Sequence, residues 1–392
     1  MPRKKLKICH LITRMIIGGA QENTLLSAIG QAEKGHEVVL VTGPTTGPEG
    51  KLLENRNVGK VKIVECPELV RELSPIKDIK AYLRLKRYFI KEKFDVVHTH
   101  SSKAGIVGRY AAWNAKIPLV VHTIHGQAFH RNEKPWKNKL YIFLERLAEK
   151  KCHKIFAVAQ AMINQSVENH IGHKDKYRVV YSGMEINSFL KAGHDIELKK
   201  KLGIPEDALI VGTLARLFHL KGYDHIVEIA RKVIASVPNT YFLLIGDGIL
   251  KNKIQQDAAN AGLSRNFIFA GLLKPEFIPQ YLSIIDVLLH LSLREGLPRS
   301  VVQALACAKP AIAFNLDGTP EVLINGKTGF IIETDEIDKV IENTITLLKN
   351  KNLREELGRN GQNLVAKNFD WRFMVDELEN EYYTELEKLA KT

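Results

Sequence analysis

The feature that most constrains this chain is its rhythm: short apolar runs alternate with amphipathic stretches along nearly all of its length. The runs are too brief for buried helices, and the stretches between them repeat their apolar residues at helical spacing. Strand, helix and strand in that order predict an α/β fold with parallel sheets. In the first half, strands are predicted at 6–12, 37–42, 61–64, 95–99, 119–123, 154–159 and 177–180, with helices at 20–34, 77–93, 104–114 and 137–152. In the second half, the strands are 208–213, 241–245, 266–269, 287–290, 311–315 and 329–332, with helices that include 223–236, 298–308 and 336–349.

The rhythm breaks between 182 and 205, where polar and glycine-containing chain suits a hinge. The expected division is a first domain at 1–184, a second at 185–369, and a long helix at 370–392 that crosses back to the first. A chain of 392 residues is long for one core and comfortable for two. Two Rossmann-like, doubly wound domains would face each other across a cleft at the carboxyl ends of their strands, where open α/β sheets bind ligands. No apolar run approaches the roughly 20 residues that span a bilayer, and the first apolar run is too short for a signal peptide. The four cysteines form no C-x-x-C pair. A disulfide scaffold is therefore not expected, and a cytoplasmic location is.

Charge is unevenly placed. Residues 1–184 hold 32 Lys and Arg against 16 Asp and Glu, and residues 185–392 hold 25 against 28, so the net is +16 and −3 respectively. A basic half seeks an anionic partner. The aromatic residues are not interleaved with the cations as a stacking platform for nucleic acid requires, so no nucleic-acid partner is expected. An anionic membrane surface fits better, with residues 134–139 (Lys-Pro-Trp-Lys-Asn-Lys) as one candidate contact. A solvated lysine-rich face is the plainer alternative.

Four blocks carry chemistry. Glu295-Gly296-Leu297-Pro298-Arg299-Ser300 follows a strand and opens a helix, so Glu295 is placed to accept sugar hydroxyls or, more plainly, to cap that helix. The first-turn amides of Leu297, Arg299 and Ser300 suit a phosphate. Arg216 and Lys221 lie in the first strand-to-helix loop of the second half, closed by Gly222; alone, two such cations suit solvent, but beside the Glu295 block on the same sheet edge they would straddle a diphosphate. Gly18-Gly19 directly after the first strand lets backbone approach a ligand, and equally suits a tight turn without one. His98 and His100 end one strand and His122 and His125 the next. No cysteine or carboxylate stands near them at ligand spacing, so no metal is expected there. His125, beside Gly126, is the better substrate contact, while His98 and His122 also suit a hydrogen-bonded core. Gly246, in the turn Gly246-Asp247-Gly248, would punctuate the fold or leave room for a nucleotide. The sequence contains no Asp-x-Asp, the pair that commonly holds a cation on a nucleoside diphosphate.

Together these blocks resemble the family 4 retaining glycosyltransferases of the GT-B fold over essentially the whole chain. The matching features run Gly18-Gly19-Ala20, Asp95-Val-Val-His-Thr-His-Ser-Ser-Lys103, the strand ending at Gly126, Tyr181-Ser-Gly-Met184, Arg216 with Lys221-Gly222, Ile245-Gly-Asp-Gly248, Glu295-Gly-Leu-Pro298 and Asp317-Gly-Thr-Pro-Glu321. The resemblance implies that Arg216 and Lys221 bind the diphosphate of a nucleotide-sugar donor, with the Gly18 and Gly19 amides closing over it. It implies that Glu295 binds the transferred sugar, that His125 lies near the reacting centre, and that configuration is retained. The donor would be a UDP-sugar, the acceptor unknown and plausibly lipid-linked, and no cofactor or metal would be needed. The family carries two glutamates separated by seven residues. The second position here is Gln303, whose amide would meet the ribose. Rival readings are a non-hydrolysing nucleotide-sugar epimerase or a phosphorylase on the same plan, and a catalytically silent sugar-nucleotide binder.

Overall fold

The computed structural model describes residues 3–45, 50–54 and 56–391. The chain divides into two compact units, Met1–Met184 with Trp371–Thr392, and Glu185–Asp370.

The first unit is built on seven parallel strands, β1 (Lys7–Ile12), β2 (Glu37–Thr42), β3 (Lys62–Glu65), β4 (Val96–His100), β5 (Leu119–Ile124), β6 (Lys154–Ala157) and β7 (Tyr177–Val179), in the order β3-β2-β1-β4-β5-β6-β7. β1, β4 and β5 are buried on both faces, as a parallel sheet covered by helices requires. The helices include α1 (Gly19–Glu33), α2 (Pro75–Glu92), α3 (Ser102–Asn114) and α4 (Pro135–Glu149). α2 and α4 begin earlier than their periodicity indicates. Each carries proline at its first position, where the missing N–H costs nothing and the fixed φ favours the helix. α3 packs against both of them, and buried Arg109 of α3 reaches Glu145 of α4 at 2.6 Å.

The helix Trp371–Leu389 packs on α1. Met374, Val375, Leu378, Tyr382 and Tyr383 complete the core of the first unit. Gly30 of α1 permits the approach: a Cβ there would stand 2.6 Å from the Trp371 ring and 2.7 Å from Val375. Lys34 pairs with Asp376 and Glu379, and His36 Nε2 lies 2.8 Å from Glu379.

The second unit carries six parallel strands, β8 (Leu209–Leu214), β9 (Thr240–Ile245), β10 (Phe267–Gly271), β11 (Val287–His290), β12 (Ala311–Phe314) and β13 (Gly329–Ile332), in the order β10-β9-β8-β11-β12-β13. The segment 182–205 is not plain loop. It holds the short helices Asn187–Leu190 and Ile196–Lys201, the second capped where Asp195 Oδ1 accepts from the Leu198 amide at 2.9 Å. Helices of one turn or so show no period, so the sequence pattern passes over them. The helix predicted from 223 starts at Ile226, because 215–225 form an extended loop.

Candidate functional site

In a doubly wound sheet the loops on either side of the point where strand order reverses diverge and open a crevice. In the second unit that point lies between β8 and β11. The loops leaving these two strands are 215–225 and 291–298, which carry Arg216, Lys221 and Glu295. In the first unit it lies between β1 and β4, beside Gly18, Gly19 and the β4 histidines.

Lys221 and Glu295 meet. Lys221 Nζ is 2.6 Å from Glu295 Oε1, and it also donates to Ser292 Oγ at 3.3 Å and to the Arg294 carbonyl at 3.4 Å. The three protons of the ammonium are therefore all directed into the 291–298 loop. The sequence separates the two residues into a phosphate contact and a sugar contact; the structure makes them one ion pair, mostly withdrawn from water. Burial pushes the Glu295 carboxyl up, but Lys221 and His290 outweigh it and hold the group well below the usual carboxylate range.

The turn around this carboxylate is fixed from three sides. The Glu295 amide donates to Asp317 Oδ2 at 2.8 Å, and the Gly318 amide to the Gly296 carbonyl at 3.1 Å. His290 closes β11 with Nε2 at 3.4 Å from Glu295 Oε1 and Nδ1 at 2.9 Å from Ser300 Oγ. Sequence reasoning assigned neither Asp317 nor His290 a role in the site. The quoted Asp317-Gly-Thr-Pro-Glu321 motif was the available signal for the first.

Pro298 is the N-cap of the helix Arg299–Ala306, and Gly296, Leu297 and Pro298 are buried. Leu297, expected in the first turn, therefore precedes the cap, and the first-turn amides are those of Arg299 and Ser300. Gln303 is half-buried on that helix, and its side chain makes no hydrogen bond among the described residues. Arg216 lies with its guanidinium 5.2 Å from the centre of the Phe218 ring. Gly246 has φ of +140°, and a Cβ there would stand 2.1 Å from the Ala215 carbonyl. Its packing thus seats the backbone that carries Arg216. Gly222, at φ +83°, likewise admits the Leu291 carbonyl where a Cβ would stand 2.2 Å away.

In the first unit, Gly18 is the N-cap of α1 in extended backbone, with Gly19 opening the helix. His98, His100 and His122 are buried, and His125 is half-buried. His98 Nδ1 lies 2.5 Å from Tyr382 Oη and its Nε2 2.6 Å from Thr123 Oγ1. His122 Nδ1 lies 3.0 Å from Thr99 Oγ1. His100 Nδ1 reaches His125 Nε2 at 3.0 Å. The structure adds His10, which with His98 and His100 forms a trio close enough to hold a metal ion. Both ring nitrogens of all three have hydrogen-bond partners within the protein, so coordination would displace bonds already made.

Residues 194–364 match the family Glycosyl transferases group 1, and residues 17–188 match Glycosyltransferase Family 4. The chain is 28% identical over 382 residues to the UDP-Gal:alpha-D-GlcNAc-diphosphoundecaprenol alpha-1,3-galactosyltransferase of Escherichia coli, covering 96% of this chain and 97% of that one. It is 24% identical over 395 residues to the capsular polysaccharide biosynthesis glycosyltransferase CapM of Staphylococcus aureus, covering 98% and 99%. Among solved structures, Anabaena Alr3699/HepE in complex with UDP superposes with a TM-score of 0.79 at 20% identity, covering 97% of this chain and 100% of that one. With two doubly wound halves and both family matches in chain order, this chain belongs to the family 4 glycosyltransferases of the GT-B fold.

Proposed function

We propose that this chain transfers a sugar from a UDP-sugar to a lipid-linked acceptor, with retention of configuration and without a divalent cation, in the assembly of a surface polysaccharide. The observation that carries the reading is the meeting of Lys221 with Glu295 at the switch point of the second sheet. Cleaving the bond between sugar and diphosphate builds negative charge on the phosphate and positive charge on the anomeric carbon. Preorganised groups that meet those charges lower the barrier. Arg216, Lys221 and the amides before Ser300 would take the first, and ionised Glu295 would hold the sugar by its hydroxyls. Gly18 and Gly19 would close over the phosphates and Gln303 would meet the ribose. No pair of carboxylates suited to a two-step displacement is evident in the sequence, so we favour attack from the face of the leaving phosphate.

Relatives support the substrates: the E. coli protein is named for UDP-Gal and a diphosphoundecaprenol acceptor, and HepE has been solved with UDP-glucose. A membrane surface is supported by two helices of the basic first unit. Ile76, Ile79, Leu83 and Ile90 of α2 are exposed, as are Trp136, Leu140, Phe143 and Leu147 of α4. At about 100° per residue each set falls within a stripe about 60° wide. Lys80, Lys86, Arg87 and Lys91 flank the first, and Lys137, Lys139, Arg146 and Lys150 the second. Such faces suit the inner, anionic leaflet of the cytoplasmic membrane. No helix among the described residues is long and apolar enough to cross a membrane.

The test is a panel of nucleotide sugars monitored for nucleotide release with undecaprenyl-diphosphate sugars as acceptors, with and without chelator, and with Glu295→Ala as control. Donor binding without release would favour the silent binder, for which Gln303 is the argument. Release with isomerisation of the sugar and no need of acceptor would favour an epimerase.

A further inference from the structure

One buried polar atom of the second unit stands without a hydrogen bond beside Glu295. His290, the last residue of β11, is 7% exposed. Its Nδ1 lies 2.9 Å from Ser300 Oγ. Its Nε2 lies 3.4 Å from Glu295 Oε1, out of alignment, and makes no hydrogen bond among the described residues. The same carboxylate oxygen is held by Lys221 Nζ at 2.6 Å. We propose that His290 is a positioning residue that takes over Glu295 from Lys221: when a diphosphate draws the ammonium away, the His290 Nε2–H closes onto the carboxylate and keeps it turned to the donor's sugar. The exchange rests on the transferase reading, since it needs a diphosphate to compete for Lys221.

A neutral imidazole has one N–H and one lone pair, and an imidazolium has two N–H groups. A lone pair on Nε2 would face a carboxylate oxygen at 3.4 Å, and two acceptors repel. The hydrogen therefore belongs on Nε2 in either charge state, and in the neutral ring Nδ1 accepts from the Ser300 hydroxyl. A buried N–H without a partner is costly, and folded proteins keep few of them without a use. In the structure the shared oxygen goes to the stronger partner, the ammonium, whose charge is full and whose contact is short. A diphosphate alters that balance, because it offers Lys221 more negative charge than one carboxylate does. The Glu295 backbone stays fixed by Asp317 Oδ2 at its amide, so the exchange concerns the side chain alone. Without a second donor that half-buried carboxylate would be free to turn, and a sugar hydroxyl would meet it in several orientations. His290 supplies the donor from a central strand rather than from the loop itself. β8 and β12 on either side of β11 carry no charged residue, and Glu295 is the only carboxylate among the described residues that the ring pairs with.

The test is nitrogen NMR of the full-length protein with labelled histidine, the His290 signals being identified by their loss in His290→Gln. On saturation with UDP, or with GDP or ADP should UDP not bind, the His290 Nε2 proton is expected to move downfield and to exchange more slowly with solvent. A proton entering a hydrogen bond to a carboxylate does both. Glu295→Gln, which offers no charge, is expected to show a smaller shift. Nucleotide binding that leaves this proton where it was overturns the proposal, and so does an equal shift in Glu295→Gln. Once transfer is measurable, His290→Phe should lower kcat about tenfold while the Kd of UDP stays within about twofold, because the lost contact acts on the sugar through Glu295 and not on the phosphates. His290→Gln, whose amide can reach the same oxygen, should recover most of the rate. Unchanged kcat in His290→Phe, or a UDP affinity that falls as far as kcat, overturns the positioning role. Should His290→Phe not fold, the wild-type NMR still decides. If no nucleoside diphosphate binds at all, the functional reading fails and takes this proposal with it, whereas binding without the proton shift fails the proposal alone.

Discussion

At Lys221 a single ammonium gives all its protons to the 291–298 loop, and so its charge is met by Glu295 before any donor arrives. An incoming diphosphate therefore competes with Glu295 for Lys221. Lys221→Ala and Arg216→Ala are each expected to lower turnover by two to three orders of magnitude, since one lost contact to a developing oxyanion costs about 3–4 kcal/mol. They should differ in their side effects. Lys221→Ala takes from Glu295 the ammonium at 2.6 Å, so its carboxyl titrates higher and the unit melts earlier; Arg216→Ala leaves that ion pair in place. Steady-state rates beside thermal melts separate the two. Near-wild-type rates in both variants would contradict the leaving-group role. These residues were legible because they sit together in loops between strands, where charge beside glycine is conspicuous. The buried histidine cluster was only half legible: His98, His100, His122 and His125 fall in two visible groups, but His10 lies inside an apolar run. Nothing periodic marks a polar cluster assembled across separate strands. Its pH behaviour is a prediction in itself. His10, His98, His100 and His122 are all lowered, first by burial, so below pH 6.5 the unfolded chain binds protons that the folded one refuses. Stability is then full above about 6.5 and falls as pH drops toward the lowered values, by about 3 kcal/mol at pH 4 from His10 alone. Urea denaturation at pH 7.5, 6 and 5 checks this; equal stability at all three would contradict neutral burial.

The elements themselves were the most legible level, because a doubly wound sheet needs continuous apolar strands and those are hard to miss. Every strand of both sheets coincides with a predicted run to within two residues, β2, β11 and β13 without any offset. Helices whose exposed side is wide were harder. Lys351–Asn368 holds only four large apolar residues, Leu353, Leu357, Leu364 and Val365, among eighteen, which leaves its period faint. The C-terminal helix is the element on which the first unit most depends, since it supplies both core and polar partners. Tyr382→Phe keeps the ring in the core but leaves His98 Nδ1 buried without its 2.5 Å partner. That should cost about 1–3 kcal/mol, the penalty for an unsatisfied buried group. Gly183→Ala should do more harm than its size suggests, for the added carbon would stand 2.4 Å from the Trp371 Cα, and backbone must move where the helix begins. Chemical denaturation curves of the two variants check both expectations. Wild-type midpoints would mean that the helix docks more loosely than its packing implies.

For the molecule as a whole, the uneven charge is a physical asymmetry that the fold does not need, since the second unit forms the same kind of sheet with a net charge near zero. Its meaning depends on whether cations alone or cations with apolar stripes act. Lysines at a surface would draw the chain to any polyanion and release it in salt. Exposed Ile76, Ile79, Leu83 and Ile90 of α2, and Trp136 and Phe143 of α4, add something that salt does not screen, because apolar side chains gain by leaving water at any ionic strength. The wild type is therefore expected to sediment with anionic vesicles at low salt, weakly with neutral ones, and in part with anionic vesicles at high salt. Ile79→Asp with Leu83→Asp should remove that salt-resistant fraction while leaving low-salt binding reduced rather than abolished. Lys80→Glu with Arg87→Glu should do the reverse. Both pairs lie on exposed positions of one helix, so each variant should fold. If the two pairs weaken binding in the same proportion at every salt concentration, stripe and cations are not separate contributions. If the wild type ignores anionic vesicles even at low salt, the basic face serves solubility and the acceptor must be brought to the protein by other means.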